Sequence, residues 1–412
     1  MANLFRIAIR NLMRYKRRTL LTASLITIGV VFVLVFVSVS GSFKNMMIGQ
    51  ITDSMLGHIQ IHRKGYVASI ENLPVNLNLK AEGMKKLEKI LGNESEIESF
   101  TPRIKFGGMF SNFSETTNIR LNGIYPDKEF ATVPLLTSRI THGRKTMNRG
   151  EIIIPELLSK GMNVKVGDTA VIVASNQDGS VNGKQFAVSG VIESIAGPGG
   201  RDGYIHIDDA AELLRMEETE ISEIAVRLKD FDKLDRITAK LEESLSKELN
   251  KMDKPVFEVH SWKKLSPFYH ISRMIDALTF FIKLMLIAIV LISIMNVMIM
   301  AVYERIREIG TIAAIGTLPS KILSLFVIEG FCLGFIGGLI GDIIGIAVVA
   351  VINLSKIRFD FGMQKGLVLM TNIDPADLIA ISATVIIVSV IASLQPAFKA
   401  SRMDPIEALR HV

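Results

Sequence analysis

A single cysteine, Cys332, stands among 412 residues. One thiol closes no intramolecular disulfide, so a disulfide-stapled scaffold is excluded. No GxxxxGK[ST] stretch occurs, and the chain therefore carries no P-loop ATPase of its own. HEXXH is missing as well. His58 and His62 share a strand face with Gln60, but no further ligand is spaced to complete a zinc set. AGPGGRDG (196–203) has the glycines of a phosphate cradle without a following Lys-Ser/Thr, which makes it a surface turn. The chain reads as non-enzymatic, with no catalytic residue, cofactor or metal of its own.

Charge is missing from three long runs. Arg18 and Lys44 enclose 25 uncharged residues, Lys283 and Glu304 enclose 20, and Asp377 and Lys399 enclose 21. A hydrocarbon core about 30 Å thick needs roughly 20 apolar residues as helix. A fourth run, IEGFCLGFIGGLIGDIIGIAVVAVINLS (328–355), is interrupted by Glu329 and Asp342. An acid at a helix centre costs about 2.5 to 3.5 kcal/mol on insertion scales. The surrounding Ile, Leu, Phe and Val offset that, so four spans are expected. The first run is too long for a signal-peptide core of roughly 7 to 15 residues and reads as a retained anchor.

Charge of one sign fills the start. Six basic residues (Arg6, Arg10, Arg14, Lys16, Arg17, Arg18) and no acid occupy the first 18 positions. Directly before a span this is a topology signal, not a nucleic-acid arm, and it places the N-terminus in the cytoplasm. The expected order is an amphipathic cytoplasmic segment 1–18, spans at 19–43, 273–303, 321–353 and 377–396, and a large extracytoplasmic domain at 44–272. Residues 304–320 and the tail 397–412 are then cytoplasmic, with a short outer loop at 354–376. The fold class is an α-helical membrane protein with four transmembrane helices and an extracytoplasmic α+β domain inserted between the first two.

The exported segment alternates like a folded domain. GHIQIHRKGY, EIIIPELL, KVGDTAVIVAS and KQFAVSGVIESI carry strand patterns. YIHIDDAAELLRM runs from strand into a helix begun by Asp208 or Asp209. FDKLDRITAKLEESLSKEL (231–249) has amphipathic spacing, with Leu234, Ile237, Leu241 and Leu245 on one side. About 230 residues suffice for a substantial core, in one lobe or two.

YERIREIGTIAAIGT (303–317) holds four charges, Glu304, Arg305, Arg307 and Glu308, between two apolar spans. On a helix Glu304 faces Arg307 and Arg305 faces Glu308 at i,i+3. Ile306, Ile309, Ile312 and Ile315 recur every third position. Such a segment either lies on lipid headgroups or docks in a groove of a soluble partner, apolar side inward and charges on the rim. In the third span Gly337, Gly341 and Gly345 recur every four residues, with Gly334 and Gly338 alongside. This strip admits a neighbouring helix backbone, and packing within the chain is favoured over dimerisation. Glu329 lies near the span end, within reach of headgroups or water. Asp342 is deeper; a hydrogen bond to a neighbouring helix satisfies it, and proton coupling is the alternative.

At these residues the chain resembles the permease subunits of the MacB/FtsX-type ABC transporters, which include the lipoprotein-releasing LolC/LolE proteins. YERIREIGTIAAIGTLPSKI is similar to their E-R-x-x-E-I-G-x-x-x-A-x-G coupling helix, and QPAFKASRMDPIEALR (395–410) to their P-A-x-x-A-x-x-x-x-P-x-E-A-L-R close. LFRIAIRNLMRYKRRTLLT resembles their amphipathic lead-in helix. The portion around EIIIPELLSKGMNVKVGDTAVIV resembles part of their external domain, and Glu329 to Gly341 fits E-G-x-x-L-G-x-x-G-G-x-x-G. Ala313 and Asp342 depart from the family pattern. The resemblance implies that Glu304, Arg305, Arg307, Glu308, Ile309, Gly310, Ala314 and Gly316 serve ATPase coupling. It implies two separately encoded ABC ATPase subunits, which hold the ATP and Mg, and a second permease, identical or paralogous. A periplasmic lipoprotein carrier or adaptor is a further expected partner. Release of lipoproteins or other amphipathic cargo is the leading expectation. MacB-like efflux and FtsX-like signalling to a cell-wall hydrolase stand beside it. So do a receptor without an ATPase and secondary transport through Asp342.

Overall fold

The computed structural model describes residues 2–176, 178–194, 201–250, 252–361 and 364–410. The AGPGG part of the glycine-rich stretch, 196–200, lies outside the described residues. Two compact units emerge, one of residues 1–45, 272–358 and 368–412, the other of 46–271 and 359–367.

Among the described residues four helices are long and apolar enough to cross a membrane, and they make up most of the first unit. The first span helix runs Lys16–Ile51, the second Phe268–Glu304, the third Pro319–Leu354 and the fourth Pro375–Ser401. Each is longer than its expected span. Lipid favours the apolar run alone, whereas backbone hydrogen bonding continues the helix into the flanking polar residues until a breaker intervenes. A lead-in helix Ala2–Arg14 precedes the first span, with a break at Tyr15. The region expected as one coupling helix at 304–320 is shorter: Arg305 leaves helical geometry (φ −114°, ψ 17°), and an elbow helix covers Ile306–Ala314. A tail helix spans Pro405–Arg410. The shared core of the bundle includes Ile26, Val30, Leu34, Val290, Ile294, Phe326 and Val385.

The second unit is built on a ten-stranded mixed sheet in the order β10-β1-β9-β2-β3-β8-β5-β7-β4, with β6 pairing β2 and β7. Its strands are β1 (Ile59–Arg63), β2 (Ile97–Ser111), β3 (Thr116–Ile124), β4 (Ile140–Gly143) and β5 (Glu151–Pro155). They continue with β6 (Thr169–Ser175), β7 (Val181–Ile192), β8 (Asp202–His206), β9 (Glu223–Leu228) and β10 (Phe257–Ser261). Most pairs are antiparallel, but β3 runs parallel to β8 and β5 parallel to β7. All four expected strand segments are strands. The helix Leu234–Ser246 buries Leu234, Ile237, Leu241 and Leu245, as its spacing requires. The helix after β8 (Ile207–Leu213) begins one residue earlier than its aspartates suggest. His206 is its cap, accepting from the Asp208 backbone N–H through Nδ1, because the strand ends there in extended geometry. A large core joins Phe106, Phe110, Phe186 and Trp262, and a smaller one gathers Ile124, Val133, Leu136 and Tyr204.

A π-helical turn at Thr52–Leu56 leads to Gly57 (φ +74°), where an added Cβ would stand 3.2 Å from the Val226 carbonyl oxygen. Only glycine lets β1 enter between β9 and β10 there. His58, expected on a solvated or packed face, is buried; its Nδ1 accepts from the Leu228 N–H, and its Nε2 lies 3.4 Å from Asp53 Oδ1.

Candidate functional site

The elbow between the second and third spans is shaped by three local signals. Arg305 breaks the second helix. Gly316 (φ +92°) closes the elbow helix in left-handed geometry, with Thr317 N–H donating to Ile312 O at 3.2 Å and Gly316 N–H to Ala313 O at 3.0 Å. Leu318 is extended, and Pro319 then opens the third span at a position where its missing N–H is harmless.

Arg305 and Glu308 do not pair with each other at i,i+3 as expected. Arg305, 4% exposed, donates from Nη1 to Glu329 Oε1 at 2.9 Å, and Glu329 is itself 2% exposed. Asn11 Nδ2 donates to the same oxygen at 2.8 Å. Glu304 accepts from Arg18 at 2.5 Å and Glu308 from Arg14 at 2.9 Å. Because Arg305 sits in the break, its side chain is not one helical turn from Glu308, so the local pair is lost. Glu329 likewise does not reach headgroups or water; an acid on an apolar helix is tolerated here by a buried guanidinium.

Tyr15 lies at the centre of this cluster. The guanidinium carbons of Arg18, Arg305 and Arg14 lie 5.0, 5.2 and 5.8 Å from its ring centroid. The two helix breaks, at Tyr15 and at Arg305, therefore meet. Lys399 donates to Tyr303 Oη at 2.9 Å, and the tail helix packs against the elbow helix with Ala408 buried. The two segments that carry the family resemblance are thus neighbours in space, which no sequence spacing announces.

The isoleucines divide. Ile306 and Ile309 are buried, whereas Ile312 is 42% and Ile315 80% exposed. Steps of three residues turn about 300° on an α-helix, so a run spaced by threes drifts about 60° per step and ends on the opposite side. Of the residues singled out for coupling, Glu304, Arg307, Glu308, Ala314 and Gly316 are exposed, while Arg305, Ile309 and Gly310 are buried beneath them. Ala313 is half-buried against the bundle core. The outward apolar surface is Ile312, Ile315 and Leu318.

The glycines of the third span serve two neighbours within the chain. A Cβ on Gly337, Gly341 or Gly345 would stand 2.9, 2.7 or 2.5 Å from Ile26, Val30 or Leu34 of the first span. Thr27 Oγ1 donates to the Gly337 carbonyl at 3.1 Å. Gly334 faces Ser389 of the fourth span, where a Cβ would lie 2.1 Å from its hydroxyl oxygen, while Gly338 has ordinary room at 3.8 Å from Val385. Asp342 accepts from Ser382 Oγ of the fourth span at 2.5 Å. Among the described residues, no group of three or more His, Cys, Asp or Glu could hold a metal ion.

The model of a MacB-like periplasmic core domain matches residues 19–244, and that of an FtsX-like permease C-terminal region matches 280–405. The lipoprotein-releasing system transmembrane protein LolC of Neisseria meningitidis serogroup B is 22% identical, covering 95% of this chain and 94% of its own length. LolC of Haemophilus influenzae is 22% identical over 69% of this chain and 71% of its own. The macrolide export ATP-binding/permease protein MacB of Agrobacterium fabrum is 35% identical over 29% of this chain and 17% of its own. Among solved structures, the periplasmic region of MacB from Actinobacillus actinomycetemcomitans covers 51% of this chain and 92% of its own, at 16% identity and a TM-score of 0.37.

Proposed function

Because this chain belongs to the MacB/FtsX-type ABC transporter permeases, we propose that it turns ATP hydrolysis by a separate ATPase into movement of its extracytoplasmic domain. The termini and the elbow face the cytoplasm in this reading. Two ABC ATPase subunits, carrying ATP and Mg, press on the elbow; a second permease, identical or paralogous, completes the assembly. The cargo is a lipoprotein or another amphipathic molecule, passed to a periplasmic carrier or adaptor. A LolC relative aligned over 95% of the chain supports that branch. The MacB-like match over 19–244 supports efflux of periplasmic molecules as the second reading.

The observation that carries the proposal is the contrast inside the elbow. Arg305 is buried and bonded to Glu329 of the next span, while Ile315, ten residues on, is 80% exposed. A solvated loop has no reason to expose isoleucine while anchoring its base with a buried ion pair. A docking knob has both. A push on Ile312 and Ile315 is delivered through Arg305 to the third span, and through Asn11 and Tyr15 to the lead-in helix.

The test is co-purification of the ATPase in detergent. Ile312→Asp with Ile315→Asp alters exposed side chains, so the permease still folds, and the ATPase is lost from the eluate. Equal recovery of the ATPase with this double variant would remove the elbow from the coupling surface.

A further inference from the structure

The lead-in helix Ala2–Arg14 carries three parallel rows of side chains. An α-helix turns about 100° per residue, so positions four apart lie nearly in line and neighbouring rows stand about 100° apart. Ala8 and Leu12 form the first row and are buried; the helix packs on the third span, where Asn11 reaches Glu329. Phe5, Ile9 and Met13 form the second row and are exposed, Met13 by 61%. Arg6, Arg10 and Arg14 form the third row, also exposed.

The acids at this end of the bundle are already taken. Arg14 holds Glu308 at 2.9 Å, Arg18 holds Glu304 at 2.5 Å, and Arg305 holds Glu329 at 2.9 Å. Arg6, Arg10, Lys16 and Arg17 are exposed, and among the described residues no acid stands within ion-pair distance of them. No acid occurs in the first 18 positions to offset them. The chain thus leaves four accessible cations unneutralised beside an exposed apolar row. The next helix, beginning at Lys16, exposes Leu20, Leu21 and Leu25 almost at once. The apolar row therefore continues along the chain into a span surface that faces hydrocarbon.

An occupant of this helix must offer hydrocarbon and negative charge side by side. A bilayer surface does so, with acyl chains beneath a plane of phosphates. We propose that the lead-in helix is a docking surface for anionic phospholipid, with Phe5, Ile9 and Met13 among the upper acyl chains and Arg6, Arg10, Lys16 and Arg17 on the phosphates. Arginine and lysine stems lie along apolar surface while their charged heads reach outward, which lets the two rows act together. A zwitterionic headgroup carries its own cation and has no net charge to give them. The surface requires neither ATPase nor cargo, so it stands or falls apart from the proposed coupling.

The test uses the full-length chain in phosphatidylcholine nanodiscs doped with one lipid bearing an acyl-chain diazirine. The probe is either phosphatidylglycerol or phosphatidylcholine at equal mole fraction, and labelled residues are mapped. Label over residues 4–13 is at least about five-fold heavier with the phosphatidylglycerol probe, the effect of one cation near an anionic surface. Exposed Ile379, Ile387 and Ile391 of the fourth span take both probes alike. Arg6→Gln, Arg10→Gln, Lys16→Gln and Arg17→Gln together bring the ratio over 4–13 toward one, whereas lysine at the three arginine positions keeps it. Arg14 and Arg18 preserve the topology signal in both variants. The wild-type chain provides a second measurement: raising salt from about 0.1 to 1 M shortens the screening length from about 10 to 3 Å and reduces the preference. Equal labelling of 4–13 by the two probes in wild type, or a preference that survives both salt and the glutamine variant, overturns the surface. So does an absence of label over 4–13 together with loss of the co-purified ATPase from the glutamine variant, which assigns the basic row to a protein partner.

Discussion

Arg305 and Glu329 meet at 2.9 Å across 24 residues of chain, both almost fully enclosed. Their pairing ties the base of the elbow to the third span. Removing one partner of a buried pair leaves an uncompensated charge, which costs about 3 to 5 kcal/mol. Replacing both with apolar side chains of similar volume is often close to neutral. Glu329→Leu should therefore lower the unfolding midpoint in nanodiscs sharply, and Arg305→Met with Glu329→Leu should recover most of it. If the pair transmits force, the double variant folds yet fails to stimulate the ATPase on adding cargo. A fully active double variant would reduce the pair to a structural role.

The glycine strip makes a position-by-position prediction. Gly341→Ala drives a methyl against Val30, where its Cβ would stand only 2.7 Å from the valine Cβ. Overpacking of this kind costs about 1 to 3 kcal/mol. Gly338→Ala, with 3.8 Å to Val385, should be tolerated. Adding Val30→Ala should relieve Gly341→Ala but not Gly334→Ala, whose neighbour is Ser389 on another helix. Thermal unfolding of wild type and these five variants separates the cases.

Acid should weaken the second unit through Glu223. Burial works to raise this carboxyl, but Lys105, His62 and Arg103 outweigh it and hold it well below the usual range. The folded value lies beneath the unfolded one. Its contribution is therefore complete above the ordinary glutamate range near pH 4.5 and is lost as pH falls toward the folded value. Unfolding free energy of wild type should fall across that window. Glu223→Gln should be less stable at neutral pH and flatter below it. Parallel curves for the two proteins would contradict the assignment.

Asp342 accepts from Ser382, and that bond survives as an amide. Asp342→Asn should accordingly leave the proposed ATP-driven activity within about two-fold of wild type, because the side chain keeps its acceptor oxygen. Loss of transport in this variant, with the ATPase still coupled, would restore a proton-carrying role.

Orientation has its own check. With Cys332→Ser removing the only thiol, a cysteine at exposed Ser320 should resist a membrane-impermeant maleimide in intact cells and react after lysis. Labelling before lysis would invert the topology.

Much of this architecture is visible along the chain. Three of the spans follow from runs without charge, the other from an apolar run that outweighs two acids, and the helix Leu234–Ser246 from its leucine spacing. The elbow is announced by Gly316 and Pro319. Asp208 and Asp209 were weaker guides, since the imidazole of His206 took the capping role. Periodicity also put Ile306 and Ile309 on one face with Ile312 and Ile315, because a spacing of three is not the helical period. The hub at Tyr15 had no signal beyond an aromatic among arginines.

What the sequence determines by itself is which segments must avoid water and where the backbone must break, since transfer energies and glycine or proline conformation act residue by residue. Which side chains meet is another matter. Arg305 had a carboxylate three residues on in the chain and took Glu329 instead. The strip of five glycines was shared between Ile26, Val30 and Leu34 on one helix and Ser389 and Val385 on another. These choices belong to the tertiary structure alone, because a buried charge or a bare backbone is satisfied by whatever the packing brings within a few ångströms, not by its neighbours in the chain.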